Sequence, residues 1–285
     1  MKNKILTGFL LVLIGGWGSL SAQNVGSNYA RQVNTLIGTK GVGLTSGYLY
    51  PGATYPYGMV QFTPSYFSKR SGFVINQLSG GGCEHMGNFP TFPVKGKLKM
   101  SPDNILNYRT NISEETGHAG YYEAKVQEDI PAKPTVTERT GMASYEYPAD
   151  QQYGTVIIGG GISATPIEQA AIVITAPNKC EGYAEGGNFC GLRTPYKVYF
   201  VAEFDTDALE SGTWKRNELK PNTTFAEGEY SGVYFTFDVD KKKNVQYKIG
   251  VSYVSVENAR ENLKAENTGW DFLQIQNQAE SKWNH

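Results

Sequence analysis

The chain has 285 residues, of which 13% are aromatic and only 19% charged, with 33 glycines and a formal net charge of −1. So many rings and aliphatic side chains exclude a disordered segment, and glycines without a three-residue period exclude collagen. A near-neutral chain without a Lys/Arg block has no electrostatic footprint for nucleic acid, and without sustained apolar heptads it is no coiled coil.

Residues 1–22 read as a secretory signal peptide. Lys2 and Lys4 precede an apolar stretch from Ile5 to Ile14, and small residues lead to Ser21-Ala22 before Gln23. The stretch is short for a spanning helix, which needs ~20 apolar residues, and no lipid-accepting Cys follows Ala22. The expectation is an exported chain, periplasmic or secreted, with no membrane segment after cleavage.

From about residue 33 to residue 254, short apolar runs alternate with turn signals. The clearest are residues 145–147, 155–158, 172–175, 196–204, 232–237 and 245–253. In the last, Val245, Tyr247, Ile249, Val251 and Tyr253 share one face, the pattern of an antiparallel strand packed on one side. An all-β fold, an antiparallel β-sandwich over residues 23–254, is predicted. Beyond it, residues 256–266 read as a helix capped by Ser255, with Ala259 and Leu263 on its apolar side. A second helix starts near Asp271, carries Leu273, Ile275, Ala279 and Trp283, and meets no stop signal before His285. Residues 255–285 therefore read as linker helices.

Candidate chemistry is sparse. Gly159-Gly160-Gly161 follows a strand but lacks the glycine spacing and the Lys-Ser/Thr ending of a phosphate loop. Residues 180–190 (CEGYAEGGNFC) read as a polar, Gly-rich loop, either lining a sugar site or closing a surface hairpin. Cys180 and Cys190 are near enough in sequence to bridge in an oxidising compartment, and three buried thiols are the equal alternative. With Cys83 the count is odd, so at least one thiol is left over. No Cys/His spacing points to zinc, and no G-x-S-x-G elbow is present. Glycoside hydrolysis needs two carboxylates flanking one bond; Glu84, Glu181, Glu185 and Asp205 are available, but their spacing selects no pair.

A series of motifs goes further. In order they are residues 33–39 (VNTLIGT), 51–64 (PGATYPYGMVQFTP), 78–83 (LSGGGC), 85–93 (HMGNFPTFP), 120–123 (GYYE), 138–141 (ERTG), 189–191 (FCG) and 251–263 (VSYVSVENARENL). This series resembles the N-terminal supersandwich-like domain of glycoside hydrolase family 92, the calcium-dependent α-mannosidases of bacterial glycan degradation. The resemblance implies exo-acting, inverting removal of terminal α-linked mannose from glycans such as N-glycans. It also implies an (α/α)6 barrel after the sandwich, with the active site between the two. The catalytic acid, the base and the calcium ligands are then expected in that barrel, beyond these 285 residues. No catalytic or metal-binding residue is assigned here, and the chain alone is expected to be inactive.

By the same resemblance, residues 78–93 and 189–191 lie at the sugar-binding side. Gln77, His85, Asn88 and Arg193 are expected to hydrogen-bond mannose hydroxyls or position barrel residues, with Phe189 packed at the sugar. Cys83 is expected to be a buried packing residue. Many mannosidases of the family carry a segment of the type G-F-S-H-T-H-L-S-G where this chain has Gly72-Phe-Val-Ile-Asn-Gln-Leu-Ser-Gly80. With both histidines replaced, the resemblance implies no particular linkage, and a phosphomannose linkage stays open. Two other readings are carried: a free-standing carbohydrate-binding module, and a structural domain whose glycines serve turns alone. An exposed apolar patch along Leu273, Ile275 and Trp283 would mark a partner domain, since monomers rarely expose large apolar areas.

Overall fold

The computed structural model describes residues 28–39, 48–65, 72–102 and 112–285. The expected signal peptide, residues 1–22, lies outside them. In chain order the first strands are β1 (Ala53–Thr54), β2 (Gln61–Pro64), β3 (Phe73–Val74), β4 (Thr91–Lys95), β5 (Ile112–His118), β6 (Tyr121–Val126) and β7 (Ile130–Val136). They continue as β8 (Thr140–Glu146), β9 (Tyr153–Gly159), β10 (Ile167–Ala176), β11 (Lys179–Phe189) and β12 (Leu192–Phe204). Next come β13 (Glu210–Lys215), β14 (Glu218–Pro221), β15 (Phe225–Glu227), β16 (Ser231–Asp238) and β17 (Asn244–Ser252). Helices α1 (Val256–Glu266) and α2 (Phe272–Trp283) follow. Among the described residues no helix is long and apolar enough to cross a membrane.

The strands form two antiparallel sheets, as the alternation predicts. One runs in the order β1-β2-β3-β4-β9-β16-β13-β14, the other β15-β10-β11-β12-β17-β8-β7-β6-β5. Their inner faces share one core, to which Phe62, Trp214 and Phe235 come from the first sheet and Tyr145, Phe204 and Tyr247 from the second. Rings meet across the interface, with centroids 5.0 Å apart for Phe204 and Phe235 and 6.4 Å for Phe62 and Tyr247. Each such contact contributes about 0.5–1.5 kcal/mol beyond the area it buries.

The second sheet is not packed on one face only, as its alternation suggested. Along β17, Val245, Tyr247, Ile249 and Val251 enter the main core, while Tyr253 falls beyond the strand and is partly exposed. The opposite face, with Lys248, Gly250 and Ser252, is buried too, because the helices lie on it. A Cβ at Gly250 would come within 2.5 Å of the Ala259 carbonyl oxygen and 2.9 Å of Leu263 Cβ, so a glycine here lets α1 approach the sheet. Val201 of β12 joins Ala259 and Leu263 in a small outer cluster, and Met142 of β8 joins Phe272 and Ile275 in another. Both helix starts follow from sequence: Ser255 Oγ accepts from Asn258 N at 3.1 Å, and Asp271 Oδ1 accepts from Gln274 N at 3.0 Å. The Trp283 indole donates to the Thr54 carbonyl at 2.7 Å, tying the end of α2 to the first sheet.

Residues 180–190 are a second departure from expectation, since all but Cys190 belong to strand β11, paired with both β10 and β12. Their inward positions are Cys180, Gly182, Ala184 and Gly186, and their outward positions Glu181, Tyr183 and Glu185. The period is two, but its inward residues are so small that it reads as a loop. A side chain at Gly182 would strike the Ala171 carbonyl of the neighbouring strand.

Two outcomes test this packing. Gly250→Val is expected to lower the unfolding free energy by about 1–3 kcal/mol in urea; an unchanged midpoint would mean that α1 does not sit there. The second concerns alkaline pH. Burial pushes the hydroxyls of Tyr145, Tyr147 and Tyr247 well above the usual tyrosine value. The folded state thus favours their protonated form, so their contribution is complete below the unfolded value of about 10 and is lost as pH climbs beyond it. Tyrosinate absorbance of the buried rings should therefore appear together with loss of near-ultraviolet circular dichroism, not before it.

Candidate functional site

The segment between β3 and β4 carries most of the expected sugar-facing residues, and it is held by buried polar contacts. Asn76 and Asn88 lock to each other: Asn76 Nδ2 donates to Asn88 Oδ1 at 3.0 Å, and Asn88 N donates to Asn76 Oδ1 at 2.7 Å. The Tyr196 hydroxyl from β12 donates to the same Asn88 Oδ1 at 2.8 Å. Burial pushes that hydroxyl up to about 12, which keeps it a donor at neutral pH. Asn88 Nδ2 remains buried without a partner among the described residues. Gln77, next to Asn76, is also fully buried, and neither of its amide atoms closes a hydrogen bond. The Tyr50 hydroxyl lies alongside it, pushed up to about 12 mainly by burial and further by the charge of Glu84.

His85 and Phe189 are brought together by a disulfide. Cys83 is bonded to Cys190, 107 residues away, and Cys180 stays a free, buried thiol. This corrects both the Cys180–Cys190 pairing and the reading of Cys83 as a packing residue. Cys180 and Cys190 sit ten positions apart along extended chain, roughly 30 Å at 3.3 Å per residue, far beyond disulfide reach. Cys190 is carried on the two-residue turn Cys190-Gly191 between β11 and β12, where both residues have positive φ, as a tight hairpin requires. The bond brings this turn onto the Gly-rich loop, where the His85 ring lies 4.1 Å from the Phe189 ring. His85 Nδ1 is 2.7 Å from the Cys83 carbonyl oxygen. A carbonyl only accepts, so Nδ1 is the donor in this contact; Nε2 is buried with no partner among the described residues.

Arg193 is not drawn into this group. Its side chain is largely exposed and forms a two-pronged pair with Glu168 at 3.0 and 3.1 Å. The carboxylates do not assemble either. Glu181 pairs with Arg260 of α1 at 2.8 Å and Glu185 with Lys197 at 3.5 Å, while Asp205 accepts from Lys242 at 2.5 Å and from Gln246 N at 3.0 Å. Among the described residues, no three His, Cys, Asp or Glu side chains gather as a metal site would require. They therefore offer calcium no such cluster.

One feature has no counterpart in the sequence-derived set. The turn Tyr55-Pro-Tyr-Gly58 between β1 and β2 holds Tyr57 at φ 56° with its ring bare to solvent. The only signal in the sequence is a turn built with two aromatic residues.

The model of the glycosyl hydrolase family 92 N-terminal domain matches residues 32–252. The chain belongs to this family. A curated relative, an uncharacterized secreted glycosidase of Arthroderma benhamiae, is 25% identical over 96% of the chain. The chain spans 40% of that relative's length. A solved family 92 α-mannosidase of Bacteroides thetaiotaomicron superposes with a TM-score of 0.78 at 24% identity, over 90% of this chain and 37% of that one. A family 92 inverting mannosidase of the same organism superposes with a TM-score of 0.68 at 21% identity, over 84% of this chain and 33% of that one. These superpositions establish the two-sheet fold as that of the family.

The disulfide closes a loop long enough to constrain the unfolded chain strongly. Removing it in Cys83→Ala/Cys190→Ala is expected to lower the unfolding free energy by about 2–5 kcal/mol. Reductant should then have no further effect on the variant's denaturation curve.

Proposed function

We propose that this chain is the N-terminal, sugar-facing domain of an exported α-mannosidase that hydrolyses terminal α-linked mannose. The carrying observation is the family match over residues 32–252, which spans both sheets. The reaction needs two carboxylates and, by the family resemblance, calcium with inversion at the sugar carbon. The candidate carboxylates of this chain are engaged in ion pairs or stand apart, so those groups are assigned to a second, barrel domain. What this chain contributes is shape: a polar and aromatic face clasped by the disulfide, with Phe189 half-exposed above His85.

The outer side of α2 carries two of the three residues expected to form an apolar patch. Leu273 is 64% and Trp283 41% exposed, whereas Ile275 is covered by the chain's own sheet. Leu273 lies in a groove of about 780 Å³ together with Tyr55, Asn277 and Lys282. With Ile275 covered, the expected apolar patch is reduced to Leu273 and part of Trp283, and the partner-domain reading rests on the family match. In this reading His85 and Asn88, being buried, position the loop, while Phe189 and Arg193 lie where a sugar or the barrel reaches them.

The test is an assay of the purified chain on an aryl α-mannoside with calcium. No turnover above the uncatalysed rate is expected. Clear, saturable turnover would overturn the assignment of the catalytic groups to another domain.

A further inference from the structure

The native disulfide is not the one that the unfolded chain closes most readily. Cys180 and Cys190 stand ten positions apart, and Gly182, Gly186 and Gly187 between them leave the backbone free to fold back. Cys83 lies 107 positions before Cys190 and nearly as far before Cys180. Loop closure falls off as about the three-halves power of length, so the short loop closes roughly thirtyfold more often than either long one. Chain order acts the same way, because Cys180 stands between the two native partners.

The folded structure excludes the short loop. Cys180 faces the core at one end of β11, opposite Ile174 of β10 and Ala202 of β12, while Cys190 sits past the other end, at the hairpin tip. A disulfide needs Cα atoms within about 7 Å, so a Cys180–Cys190 bond exists only where β11 is unmade. That strand joins β15 and β10 to the rest of the second sheet, and a chain closed in this way lacks that whole edge. Once β11 is in place the choice is sealed. Cys180 is fully buried, and burial, with the charge of Glu181, pushes its thiol far above the usual value. Only a thiolate attacks a disulfide, and Cys180 is the one free cysteine, so the folded chain has no thiol able to disturb Cys83–Cys190. Any exchange of partners has to finish before the sheet closes.

We propose that oxidative folding of this chain passes through a non-native Cys180–Cys190 loop, and that a thiol–disulfide isomerase is the partner that moves the bond to Cys83. The isomerase thiolate attacks Cys190 Sγ, the Cys180–Cys190 bond breaks, and Cys180 leaves as a thiolate that takes up a proton. The Cys83 thiolate then attacks the same Cys190 sulfur and displaces the isomerase, so the exchange involves no net oxidation or reduction. The need for this partner rests on the export proposed above, which brings the chain into an oxidising compartment; the order of pairing belongs to the chain itself.

The test starts from the reduced chain, oxidised at low concentration in urea with diamide and mapped by mass spectrometry after acid quenching. Cys180–Cys190 should exceed either Cys83 pair by about tenfold or more. After dilution from urea, near-ultraviolet circular dichroism should return slowly, and reduced protein disulfide isomerase should speed its return as Cys83–Cys190 replaces Cys180–Cys190. Cys180→Ala, which can close only the native bond, should recover at one rate with or without the isomerase. Cys83 pairs dominating in urea overturn the proposal, as does wild-type chain recovering without isomerase as fast as Cys180→Ala. Either result leaves the family assignment and the export reading intact. The urea mapping uses the wild-type chain, so it decides independently of how well the variant folds.

Discussion

The Cys83–Cys190 bond joins a loop between two strands of the first sheet to the tip of the β11–β12 hairpin in the second. Over most of their area the sheets are held by non-directional apolar contact, which tolerates small slides of one layer over the other. A covalent tie between the layers removes that freedom at one edge. It sets the His85 ring against Phe189, and it presses a glycine-rich segment with little core of its own onto the end of a hairpin.

Next to the clasp, the Asn76–Asn88 pair and the Tyr196 hydroxyl form a second, non-covalent tie between the sheets. Hydrogen bonds in a low-dielectric interior are strong when complete and costly when not. Three groups nearby are incomplete: the Gln77 amide, Asn88 Nδ2 and His85 Nε2. Other unmatched atoms, the Tyr145 hydroxyl and the Trp214 indole, lie within the aromatic core itself. The helices complete the frame. α1 covers the sheet through Gly250, and α2 leaves Leu273 open while its far end is pinned to Thr54.

The legible parts of the sequence are those set by local rules. β17 shows large alternating side chains, and the helices begin at Ser255 and Asp271, whose side chains cap their own backbone within three residues. What could not be read depends on distant partners. β11 hides its period because its inward residues are small, Gly182 of necessity against the Ala171 carbonyl, and Cys83 finds Cys190 across 107 residues, where spacing carries no information. The motif order reached the family, and through it Gln77, His85, Asn88 and Phe189. Of these the structure joins only His85 to Phe189, and it leaves Arg193 with Glu168 in solvent. The left-handed backbone and bare ring of Tyr57 were out of reach because a residue name reveals neither.

The most direct measurement is disulfide mapping by mass spectrometry of the chain digested without reduction, with free thiols blocked beforehand in denaturant. The account predicts one cross-linked pair of peptides containing Cys83 and Cys190, with Cys180 recovered as the blocked thiol. A peptide linking Cys180 to Cys190, or three blocked cysteines, would contradict it: the former would break the pairing of β11 with its neighbours, and the latter would release the loop that holds His85 against Phe189.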